Sequence, residues 1–265
     1  MEILKELLPG AVVFIGLGAL MGILLAIASK VFKVEKDEKI EQIAELLPGA
    51  NCGGCGYTGC AALAEAIAKG EAKVNSCSVS SSEATSKIAE IMGVEAAANV
   101  PMCAHITCAG NCNTAKKKFV YSGADDCAAA ERLGGGNKVC PNGCIGLGTC
   151  VKHCPFGALS IVDGIAAVDE IKCRGCGVCV TFCPKNVIKM VPKESPIRMN
   201  CISTDNGKAV RSYCDAGCIG CKICEKFCPS GAVKIENNVA VIDHTKCNRC
   251  GVCAEKCPRK IIRVK

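Results

Sequence analysis

From residue 7 to residue 28 the chain carries no charge, and most positions in this 22-residue stretch are Leu, Ile, Val, Ala or Gly. A helix of that length crosses the hydrocarbon layer of a bilayer. Lys5 and Glu6 precede the stretch, and Lys30, Lys33, Lys36 and Lys39 follow it. The excess of lysine after the span puts the bulk of the chain on the cytoplasmic side of a cell membrane. A cleaved signal peptide is the alternative, since Ala26-Ile27-Ala28 fits a small-x-small cleavage site. However, the run exceeds the roughly 7–15 residues of a signal core, and the region before it is barely basic. An uncleaved, single-pass transmembrane helix over 1–30 is the better reading. Gly18 and Gly22 form a small-xxx-small pair, a pattern common in such helices. Further on, residues 61–69 read as one helix and 73–86 as a polar, Ser-rich connector. Short β-rich runs follow at 159–162, 166–168, 233–235 and 239–242.

Composition changes the picture. The 265 residues include 26 cysteines and 28 glycines, but only six Phe, three Tyr and no Trp. A soluble chain of this length normally fills its core with large apolar and aromatic side chains. Crosslinks or metals must therefore organise several small domains. In the reducing cytoplasm structural disulfides are disfavoured, so the cysteines are expected to be thiolates on metal. The formal charge of +7 suggests nucleic acid, but that count treats every cysteine as neutral. Six [4Fe–4S] clusters, each about −2 with its thiolates, would bring the chain to about −5. With aromatic residues nearly absent, no nucleic-acid partner is expected.

Spacing identifies the metal. Cys173, Cys176, Cys179 and Cys183-Pro184 form C-x2-C-x2-C-x3-C-P. The pattern recurs at Cys218, Cys221, Cys224 and Cys228-Pro229, and at Cys247, Cys250, Cys253 and Cys257-Pro258. Such runs bind [4Fe–4S] clusters, with three cysteines on one cluster and the fourth on its neighbour. Zinc sites more usually pair two C-x2-C units across a longer gap. A fourth copy, Cys144, Cys150 and Cys154-Pro155, has Leu147 where a cysteine is expected.

A shift of 74 residues superposes the two halves without a gap: Cys127 falls on Cys201, Cys140 on Cys214 and Leu147 on Cys221. Two tandem two-cluster ferredoxin-like modules, 127–191 and 201–265, are therefore expected, each α+β. Cross-ligation assigns Cys218, Cys221, Cys224 and Cys257 to one cluster, and Cys247, Cys250, Cys253 and Cys228 to a second. In the first module Cys173, Cys176, Cys179 and Cys154 form a third set. Cys144, Cys150 and Cys183 begin a fourth, and Cys140, four residues before Cys144, is assigned as the substitute for Leu147.

Residues 46–77 read LLPGANCGGCGYTGC…SC, placing Cys52, Cys55, Cys60 and Cys77 in a small domain over 31–95. By spacing alone, zinc remains an alternative to iron–sulfur there. An anchor, then this CGGCG block, then ferredoxin motifs resembles the B subunit of Rnf-type electron-transport complexes over essentially the whole chain. Those complexes pass electrons between reduced ferredoxin and NAD and couple the transfer to Na+ or H+ translocation. The resemblance implies a fifth [4Fe–4S] cluster on Cys52, Cys55, Cys60 and Cys77. It also implies docking of a soluble ferredoxin on the C-terminal modules and of other membrane subunits near the first cysteine domain.

Residues 96–126 are expected to be a cysteine-containing connector. A sixth cluster is expected from Cys108 and Cys112 with two of Cys127, Cys201 and Cys214, leaving Cys103 as a non-ligand. No GxGxxG follows a strand, and no Walker A, HExxH or Ser/His/Asp set occurs. Gly134-Gly135-Gly136 reads as a linker. Flavin and NAD are therefore expected on partner subunits, with no catalytic site on this chain. A tethered polyferredoxin serving another membrane reductase, and an iron–sulfur redox sensor, are the rival readings.

Overall fold

In the computed structural model, residues 2–31, 37–95 and 100–264 are described, with side chains of 14–28 and 30 in the first segment. Helix α1 (Glu2–Val31) carries the charge-free stretch. Phe14, Ile15, Leu17, Leu20, Met21, Ile23, Leu24, Leu25 and Ile27 are each more than half exposed. Among the described residues no helix is long and apolar enough to cross a membrane. Of the predicted span, the side chains of residues 7–13 lie outside the described set. So do Lys33 and Lys36, which orient it, and the domain boundary at 96–99.

Three helices build the next unit. Helix α2 (Glu38–Leu46) starts where Asp37 accepts a hydrogen bond from the Lys39 amide. Helix α3 (Cys60–Ala68) matches the expected element within a residue. Helix α4 (Ser82–Met92) begins inside the stretch expected to be a solvated connector. Its polar sequence hides a capping Ser81 and an inward stripe of Thr85, Ile88 and Ala89. Ile43, Leu47, Leu63, Ile67 and Ile88 form the core that the three share with Cys77.

The remainder is two copies of one plan. The first comprises β1 (Met102–Ile106), α5 (Cys127–Arg132), α6 (Thr149–Lys152), β2 (Leu159–Val162), β3 (Ile165–Val168), α7 (Val178–Thr181) and β4 (Ile188–Pro192). The second has β5 (Ile197–Met199), α8 (Gly207–Tyr213), α9 (Ile223–Lys226), β6 (Val233–Glu236), β7 (Val239–Ile242), α10 (Val252–Glu255) and β8 (Ile262–Val264). Each copy holds one hairpin, β2–β3 or β6–β7, and one pair that ties its last strand to a segment before the module. In the first copy β4 pairs antiparallel with β1, Ile188 opposite Ile106. In the second, β8 pairs with β5, Ile262 opposite Met199. The segment 96–126 is thus more than a connector, since it supplies a strand. Likewise, 197–199 belongs to the second copy although it precedes residue 201. Cysteines share both cores with the aliphatic residues: Cys144, Cys150, Cys173 and Cys179 in one, Cys201, Cys218, Cys224 and Cys253 in the other.

Candidate metal centres

Each cysteine loop turns into its short helix through a residue in the left-handed region: Gly148, Gly177, Lys222 and Gly251, with φ between 60° and 80°. That reversal lets successive cysteines face one point while the next helix carries a sulfur down to it. In the first cysteine domain Asn51, itself at φ 44°, performs the capping: its Oδ1 accepts the Cys60 amide at 2.8 Å.

Among the described residues, four cavities, each lined by four cysteines, result. One is lined by Cys218, Cys221, Cys224 and Cys257. One is lined by Cys154, Cys173, Cys176 and Cys179. A third is lined by Cys127, Cys144, Cys150 and Cys183. The fourth has Cys108, Cys140, Cys201 and Cys214 in its wall. Cys253 is crowded by Cys247, Cys228 and Cys250, and Cys77 by Cys55 and Cys60.

These groupings make ionised thiols costly. Burial first, and then Cys144, Cys127 and Cys183, pushes the Cys150 thiol up to about 12. Burial and the neighbours Cys176 and Cys173 do the same to Cys179, again to about 12. Cys224 reaches about 12 through burial and the proximity of Cys218, Cys221 and Cys257. Thiols so placed stay protonated until a cation takes the proton's place. Backbone amides stand ready for the charge: Ala104 donates to Cys173 Sγ at 3.4 Å and Ala158 to Cys154 Sγ at 3.3 Å. Among the described residues no three Cys, His, Asp or Glu side chains converge tightly enough to hold one metal ion. A single zinc would draw four sulfurs to about 2.3 Å from one centre. Four thiols around one cavity give the all-sulfur donor set that a [4Fe–4S] cluster takes.

The cavities redistribute three of the expected ligands. Cys140 does not join Cys144, Cys150 and Cys183; Cys127 does. Asp126 caps α5 through the Ala129 amide, and Thr149 Oγ1 accepts the Cys127 amide at 2.7 Å, seating Cys127 at the head of a helix beside the cavity. Cys140 instead faces Cys108, Cys201 and Cys214. Cys112 does not pair with Cys108. It is exposed, its Sγ 3.7 Å from Asn113 Oδ1. Cys103, fully buried in β1, lies 3.7 Å from Arg198 Nη2. The repeat carries no signal between the two, since Cys127 superposes on Cys201 and Cys140 on Cys214, and proximity in sequence favoured Cys140.

The first cysteine domain meets the first module at its cluster loop. A Cβ on Gly54 would run into the carbonyl of Cys176, and Cys52 is among the charges that raise the Cys176 thiol after burial.

Comparison with known proteins agrees with this organisation. A family model for an Fe-S cluster matches residues 47–79, a 4Fe-4S binding domain matches 141–160 and 166–189, and a 4Fe-4S dicluster domain matches 217–262. The chain is 42% identical to the B subunit of the ion-translocating oxidoreductase complex of Methanosarcina acetivorans, over 98% of both chains. It belongs to that B-subunit family. The family member from Acetobacterium woodii, the B subunit of a Na(+)-translocating ferredoxin:NAD(+) oxidoreductase complex, is 43% identical over 92% of this chain and 74% of its own length. The proton-translocating counterpart from Clostridium ljungdahlii is 43% identical over 93% and 88%. The matched domains of this B subunit leave Cys108, Cys127, Cys140, Cys201 and Cys214 outside their bounds.

Proposed function

We propose that this chain is the electron-transfer subunit of a membrane complex that passes electrons between reduced ferredoxin and NAD, coupled to Na+ or H+ translocation. The observation that carries the reading is cross-ligation geometry. Cys257, from the last motif, lines the cavity of Cys218, Cys221 and Cys224; Cys183 lines that of Cys144 and Cys150; Cys154 lines that of Cys173, Cys176 and Cys179. Five ligand sets follow: Cys52, Cys55, Cys60 and Cys77; Cys154, Cys173, Cys176 and Cys179; Cys127, Cys144, Cys150 and Cys183; Cys218, Cys221, Cys224 and Cys257; and Cys228, Cys247, Cys250 and Cys253. A [4Fe–4S] cluster supplies reversible one-electron carriage at each. The residues of this chain hold the sulfurs, donate backbone hydrogen bonds to them and set their order along the protein.

The exposed apolar side chains of α1 support anchoring through residues 7–28, with the cysteine domains on the cytoplasmic side. Soluble ferredoxin docks on the C-terminal modules, and other subunits of the complex meet the first cysteine domain and the anchor. The full chain, purified anaerobically, is expected to carry at least about 20 iron atoms, from five four-iron sites. Its visible cluster absorbance should bleach on adding reduced ferredoxin, which is oxidised by one electron for each site reduced. Stoichiometric zinc in place of iron, or clusters that ferredoxin leaves oxidised, would overturn the reading.

A further inference from the structure

The four cysteines of the fourth cavity belong to none of those five sets and lie outside the matched domains. Its cysteines come from three parts of the chain: Cys108 follows β1, Cys140 precedes the first module's leading motif, and Cys201 and Cys214 belong to the second module. Cys140 and Cys214 are repeat equivalents brought to face each other. A Cβ added at Gly110 would lie 3.3 Å from Cys214 Sγ and 3.7 Å from Cys108 Sγ, so those sulfurs converge on a residue that has no side chain.

The repeat explains why a second-module cysteine is free for this role. Cys127 heads α5 and fills the place that Leu147 vacates, whereas its equivalent Cys201 lies in an extended loop after β5. In the second module Cys221 already occupies its own cavity, so Cys201 turns to the junction.

The surroundings suit an anionic occupant. Lys138, 4% exposed, lines the cavity, its ammonium held by the carbonyls of Gly110 at 2.7 Å and Gly164 at 3.2 Å. A buried cation is costly unless a negative charge accompanies it. The amides of Ser203 and Cys218 donate to Cys201 Sγ at 3.5 and 3.3 Å, and the Cys144 amide donates to Cys108 Sγ at 3.4 Å. Cys144 and Cys218 are themselves ligands in the flanking sets of the two modules.

We infer that Cys108, Cys140, Cys201 and Cys214 hold a sixth [4Fe–4S] cluster that joins the two ferredoxin modules. The inference rests on the electron-transfer reading and adds the link between modules that the five sets lack. Cys144 and Cys218 connect this site by hydrogen bond to its neighbour on either side.

The test uses the full chain, purified anaerobically, with iron counted and EPR spectra recorded before and after dithionite. Wild type is expected to hold about 24 irons. Cys108→Ala, from the first half, and Cys214→Ala, from the second, should each remove one cluster, reducing the count by about four, or convert one to a three-iron form. The double variant should lose no more than either single, because both residues serve one site. Cys127→Ala combined with Cys214→Ala should remove two clusters, and Cys112→Ala none. Iron content and spectra unchanged in Cys214→Ala, or additive losses in the Cys108/Cys214 pair, would overturn the sixth site while leaving the five-cluster reading intact. Wild type devoid of iron–sulfur clusters would instead sink the electron-transfer reading itself.

Discussion

Leu147 and Cys127 show how one side chain redirects another. A leucine cannot bind iron, so the motif around Cys144 and Cys150 needs a thiolate from elsewhere. Cys127 is the residue placed to supply it, because Asp126 and Thr149 fix the head of α5 beside the cavity that Cys144, Cys150 and Cys183 line. Cys127→Ala is expected to cost one cluster, seen as about four irons lost or as a three-iron EPR signal. Adding Leu147→Cys to that variant should restore the count, since it recreates the spacing that Cys221 completes in the other copy. No recovery in the double variant would mean that the helix head, and not the missing ligand, was the fault. The same pair marks a limit of reading residues from sequence. The motif cysteines and the 74-residue repeat were plain, because ligand spacing is local. The choice between Cys127 and Cys140 was not, because it depends on where α5 starts.

At the level of elements, the repeat predicted both hairpins and the α+β character of the modules. It could not predict which strand completes each copy. β1 comes from a segment with no counterpart at the 74-residue shift, and pairing over that sequence distance leaves no local signature. Helix α4 escaped notice for a related reason: of its inward residues Thr85, Ile88 and Ala89, only Ile88 is a large apolar side chain, and one such residue in a Ser-rich stretch does not announce an apolar face. The loop at Gly54 is the element-scale contact most open to test. Gly54→Val would press a side chain into the Cys176 backbone and part the first cysteine domain from the first module. Overpacking of this kind costs about 1–3 kcal/mol. Amide exchange in the 173–177 loop should then quicken roughly 5- to 150-fold. Wild-type exchange rates there would show that the two units do not depend on this contact.

For the molecule as a whole, cysteine takes the place of missing apolar bulk. The buried groups of both modules interleave Cys144, Cys150, Cys173, Cys179, Cys201, Cys218, Cys224 and Cys253 with a modest number of Val, Ile, Leu and Ala. Stripping iron with acid and chelator should therefore unfold residues 100–264, because cluster ligation and folding are one equilibrium in such small units. Circular dichroism of the apo-protein should show β signal lost from that region while the helices around Ile43 and Ile88 persist. A fully folded apo-protein would contradict it.

The junction cavity also carries a consequence for biosynthesis. Every cysteine of the three ligand sets lying wholly within the first 200 residues is available once that much chain has been made. Cys108 and Cys140, by contrast, must wait for Cys214, more than seventy residues beyond Cys140. Until then both lie open to premature metals and oxidants. Maturation of the proposed junction cluster would therefore come late, and would report that both halves of the chain have arrived in register.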